Sequence, residues 1–154
     1  MDSKERIAKA LQIATDTKVF EMAPGASEMA PDIFKKLFPG RKAVIVADIN
    51  TWPALGEKVY GMFLSAGIKT DKYIIDKKEF HAEWKYIEMV DKIIEGDYEA
   101  AKTIEDDENH VEADATKAFK PASDEYNVAV SVGSGVINDL CKLCSHHHGP
   151  ASLW

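Results

Sequence analysis

The chain has 154 residues, 45% of them hydrophobic, and a formal net charge of -7. That is enough for one domain with a core, and the acidic balance disfavours nucleic acid and anionic membrane surfaces as partners. A charged N-terminus, no run near the roughly 18 apolar residues of a membrane span, and only two cysteines argue against membrane and disulfide-stapled secreted classes, so a cytoplasmic protein is expected.

Ser3 is positioned to cap a first helix with Ile7, Leu11 and Ala14 on one face, and Thr17 to Met22 reads as a short strand ending at Pro24-Gly25. A second helix starts around Pro31, buries Ile33, Phe34 and Leu37, and stops at Pro39-Gly40. The run Ala43 to Ala47 is continuously apolar and β-branched, as in a parallel strand covered on both faces. It ends at Asp48, Asn50 and Thr51, polar residues where open α/β sheets bind ligands. Pro53 then opens a helix carrying Leu55, Val59, Met62 and Phe63, closed by Gly67.

Lys72 to Ile75 is the next strand, and Ala82 to Glu95 the next helix, with Trp84, Ile87, Val90 and Ile94 at helical spacing before Gly96. Two strand-helix units in succession imply a parallel sheet. From Asp97 to Glu125 the pattern gives way to an acidic stretch, read as a solvated insertion rather than an acidic docking surface, in which Ala100, Ala101 and Ile104 can support one weak helix. His110 within it reads as solvated. His81 and Trp84 read as packing under the start of a helix rather than as ligand contacts.

Asn127 to Val132 restores a buried strand that runs into Gly133-Ser134-Gly135 and a final helix. A strand delivering Gly-x-Gly to a helix start leaves unpaired N-H groups at the positive end of the helix dipole, without a Cβ to block a phosphate. By itself the spacing is equally that of a tight turn, since the third glycine of the dinucleotide fingerprint is missing.

The segment VAVSVGSGVINDLCKLCSHHHG is similar to the GSGxINDLxKxxSxxxG stretch of the sn-glycerol-1-phosphate dehydrogenases, relatives of glycerol dehydrogenase, iron-type alcohol dehydrogenases and dehydroquinate synthase. The superfamily pattern GGGxxxD matches Gly133, Ser134, Gly135 and Asp139, and KAVIVADINTW resembles its first nucleotide-binding strand, ending at Asp48. With EWKYIE from Glu83 to Glu88, the likeness covers most of residues 1–96 and 126–149.

The resemblance implies a three-layer Rossmann-like α/β domain with a mostly parallel sheet. It implies an NAD- or NADP-dependent oxidoreductase of phospholipid metabolism that interconverts dihydroxyacetone phosphate and sn-glycerol 1-phosphate with a divalent, zinc-like metal. The candidate cofactor-binding residues are Asp48, Asn50, Gly133, Ser134, Gly135 and Asp139: the glycine loop for the pyrophosphate, Asp48 for the ribose, Asp139 towards the nicotinamide. Asn138 and Lys142 are weaker matches, and Val136 stands where the family commonly has a Ser or Thr hydroxyl.

After Pro150 to Trp154 the family continues into an all-helical domain bearing the metal ligands. The expectation is thus a single domain over residues 1–154 with an acidic insertion at about 97–125, truncated before the catalytic part, binding no metal and inactive as this chain alone. Its small phosphorylated triol or ketone substrate belongs to a complete enzyme. A sheet missing its next strand leaves an apolar edge, so a homo-oligomer is expected. The alternative is a non-catalytic α/β module or an assembly or regulatory subunit without turnover. Cys141, Cys144 and His146 to His148 also suggest zinc or redox chemistry, but one helix cannot readily wrap a tetrahedral ion, and two apolar core cysteines are the simpler expectation.

Overall fold

The computed structural model describes residues 2–14, 17–77, 80, 81, 83–111, 123, 125–133 and 135–148. Its centre is strand β1 (Ala43–Asp48), in which all six residues are buried. β2 (Thr70–Ile75) pairs with one side and β3 (Val128–Ser131) with the other, both parallel, giving the order β2-β1-β3. A strand flanked on both edges and covered on both faces has no solvent side to alternate toward, which explains the unbroken AVIVA run.

Six α-helices, α1 (Ser3–Ile13), α2 (Ala30–Leu37), α3 (Glu57–Ser65), α4 (Trp84–Glu95), α5 (Tyr98–Asp106) and α6 (Gly135–His148), accompany the sheet among the described residues. Phe34 of α2 with Val59 and Phe63 of α3 cover one face through Ala43, Ile45, Val128 and Val130. On the other face, Met89, Val90, Ile93 and Ile94 of α4, Ala101 of α5, and Ile137, Leu140, Cys141 and Cys144 of α6 pack on Val44, Val46 and Ile75. The molecule is a three-layer α/β structure with a small parallel sheet, as the sequence predicts for a Rossmann-like domain. No helix among the described residues is long and apolar enough to cross a membrane.

The structure departs from the expected elements at several points. No strand forms over Thr17 to Met22. The segment pairs with none of the three strands of the described sheet, and Phe20 and Met22 are 39% and 71% exposed. The cap of α1 is Asp2, not Ser3: its carboxylate accepts from Glu5 N while the Glu5 carboxylate accepts from Asp2 N. Leu55 stays at the surface because Trp52–Gly56 forms a wide π turn before α3, which shifts its phase.

The acidic stretch begins with a regular helix, α5, capped by Asp97. Its Glu105 is fully buried, accepting from Tyr73 Oη at 2.7 Å and from Asp76 N at 2.6 Å. His110 is not solvated either, since its Nε2 pairs with the Glu88 carboxylate of α4. Trp84 packs against the α4 core layer, while His81 is exposed.

Candidate functional site at the carboxyl ends of β1 and β3

β1 delivers Asp48 to the rim of the sheet, 7% exposed. Its Oδ1 accepts from both Asn50 N and Thr51 N at 2.8 Å, and Thr51 Oγ1 accepts from Asp48 N at 2.9 Å. These reciprocal bonds close a tight turn and aim a carboxylate at the amino-terminal end of the following helix, a favourable place for negative charge. Oδ2 takes no hydrogen bond from any described residue. Asn50 has an exposed side chain and contributes its backbone to the turn. Behind the turn, Gly56 sits so close to the strand that a Cβ there would lie 2.9 Å from Trp52 Cε3 and 3.2 Å from Ala47 Cβ.

β3 runs on past its last paired residue, with Val132 N donating to Val46 O at 2.9 Å, and then turns at Gly133. A Cβ at Gly133 would meet Ile137 Cδ1 at 2.6 Å and Thr51 Cγ2 at 3.4 Å. The turns leaving β1 and β3 are therefore in contact, as expected at the switch point of a sheet ordered β2-β1-β3. Gly133 is accounted for by packing against Ile137. Gly135, the first residue of α6, is different: its missing Cβ faces open space, and its φ is not positive, so neither sterics nor backbone conformation inside the chain demands a glycine there.

Of the six candidate residues, the structure brings Asp48, Asn50 and Gly133 to one rim and sets Gly135 beside them at the start of α6. Asp139 lies about one turn further along α6 on its exposed face. Ser134 lies outside the described residues. Asn138 accepts a hydrogen bond at 2.8 Å from Ser131 Oγ of β3. Ser131 was not singled out from sequence, although it left a signal, a lone polar residue in an apolar strand; Thr51 was read as part of the polar rim, but not as the residue that closes the Asp48 turn through its D-x-x-T spacing.

Cys141 and Cys144 are fully buried and unpaired. Burial pushes the Cys141 thiol up to about 12. Burial, reinforced by nearby Asp91, raises that of Cys144, whose Sγ donates to Ile87 O. Both are neutral core residues, the opposite of what a reactive or metal-binding thiolate needs. Among the described residues no three His, Cys, Asp or Glu side chains lie together as a metal site, so they offer no seat for the divalent ion that the sequence resemblance implies.

The chain matches no protein-family model, and no curated protein or solved structure matches it.

Proposed function

We propose that this chain is the nucleotide-binding part of an NAD- or NADP-dependent oxidoreductase resembling the sn-glycerol-1-phosphate dehydrogenases, acting in the cytoplasm as a homo-oligomer. The observation that carries this reading is the contact of the β1 and β3 turns, with Gly133 against Thr51. It puts an acidic rim residue and a glycine-led helix start side by side, the two halves a dinucleotide needs. In this reading the pyrophosphate lies against the backbone of Gly133 and Gly135, which carry no Cβ, and the free oxygen of Asp48 accepts from a ribose hydroxyl. When bound, the dinucleotide supplies hydride chemistry; the chain contributes binding and orientation.

A second reading, a non-catalytic α/β module, draws on the same rim. Asp48 has a structural task in its own turn, and Gly133 is explained by Ile137. Calorimetric titration with NADH and NADPH separates the two. Saturable binding that weakens on Gly135→Ala, whose added Cβ has nothing within 4 Å of it, is the expected result. Absence of binding of either nucleotide to the folded chain leaves the second reading standing.

A further inference from the structure

The glycine turn is bridged by a side-chain bond that its backbone does not require. Ser131, the last residue of β3, is 5% exposed, and its Oγ donates at 2.8 Å to Oδ1 of Asn138, the fourth residue of α6. The bond spans the connection that contains Gly133 and Gly135, tying the strand before the turn to the helix after it. A hydrogen bond between a buried strand hydroxyl and a helix side chain is directional, so this one constrains where the helix can sit. The neighbouring contacts point the same way: Ile137, adjacent to Asn138, fills the space under Gly133, and Thr51 closes on it from the β1 turn.

We infer that Ser131 and Asn138 are positioning residues: their hydrogen bond fixes the angle between β3 and α6, and with it the direction of the amide groups around Gly133 and Gly135 that would meet an anionic ligand. This rests on the nucleotide reading above. The ligand class is a diphosphate, since the clamp orients backbone donors rather than the carboxylate on the β1 side. Loosening it leaves the Asp48 turn, held by its own bonds to Asn50 and Thr51, intact.

The test uses the full chain with three probes, NADH, ADP and adenosine, in calorimetric or ligand-observed NMR titrations of wild type, Ser131→Ala and Ser131→Thr. Ser131→Ala is expected to weaken NADH and ADP by about three- to tenfold, the worth of one hydrogen bond, and to leave adenosine unchanged. Ser131→Thr, which keeps the hydroxyl, restores diphosphate binding. Asn138→Ala breaks the same bond from its less buried side and serves where Ser131→Ala fails to fold. Equal loss for adenosine and the diphosphates, no loss at all, or no rescue by threonine would overturn the clamp while leaving the nucleotide reading in place. A wild-type chain that binds neither NADH nor ADP would overturn both.

Discussion

Helices α1 and α5 have sequences that argue against the roles they take. α1 carries Ile7 and Leu11 one turn apart, an apolar stripe of the kind that docks, yet none of its residues is buried. α5 lies in the most acidic part of the chain, yet buries Ala101 and Glu105 completely. An apolar stripe shows that a helix can dock; whether it does depends on a free surface within reach. α5 docks because its polar groups find partners. Tyr98 Oη donates to Asp71 at 2.5 Å and accepts from Asn127 Nδ2 at 2.9 Å, and Glu105 receives Tyr73 Oη and Asp76 N. Lys102 Nζ lies 3.6 Å from the same carboxylate.

The strongest test of this contrast is Glu105→Ala. Removing the carboxylate strips partners from Tyr73 and from the Asp76 amide, and we expect a loss of about 3 kcal/mol in urea denaturation. A loss below about 1 kcal/mol would mean that α5 is held by apolar packing alone.

A smaller effect is expected from alkali. Burial, together with the hydrogen bond to Glu105, raises Tyr73 above its ordinary value of 10.0. Burial and the bond to Asp71 do the same for Tyr98. In the unfolded chain both ionise near the ordinary value while the folded forms keep their protons. The stability they contribute is therefore fully present below pH 10 and lost as pH rises beyond it. Tyr73→Phe and Tyr98→Phe should each flatten the decline measured by denaturation between pH 9 and pH 11, at a cost near neutrality of about 1 to 2 kcal/mol each.

The smallest effect belongs to α1. Leu11→Ala, which in a core would cost about 2 to 5 kcal/mol, should change global stability by less than about 0.5 kcal/mol. A core-sized loss would show that α1 is docked in solution.

These two helices also mark how far the fold could be read from sequence. β1, α2, α4 and the layer order were legible because their signals are local and agree with one another: a β-branched run, a helical apolar period, and glycines such as Gly67 and Gly96, whose φ values of 77° and 84° match the helix-ending role expected of them. Thr17 to Met22 misled because a strand forms only where it pairs with a neighbour, and strand composition says nothing about whether it does. The helix of α5 was foreshadowed by Ala100, Ala101 and Ile104, but its docking was not, because its buried carboxylate is satisfied by groups far apart in sequence, and a single glutamate in an acidic run gives no hint of that.

At the candidate site, the residue types and their meeting at one rim were legible from the strand ends. What sequence did not reveal was the internal work they do. Asp48 closes its own turn and Gly133 accommodates Ile137, so part of an apparent binding signature is architecture. Gly135 is the position where the two explanations part.

The sheet order also constrains assembly of the chain in time. β1, the middle strand, is synthesised first, but its second partner arrives only after α3, β2, α4 and α5 have been made. The half-built sheet must therefore keep one flank of its most apolar strand unoccupied through most of translation, a long-range closure that slows folding and raises the risk of wrong pairing. The glycine turn follows directly on that last strand, so the rim takes its final shape only when the sheet is closed.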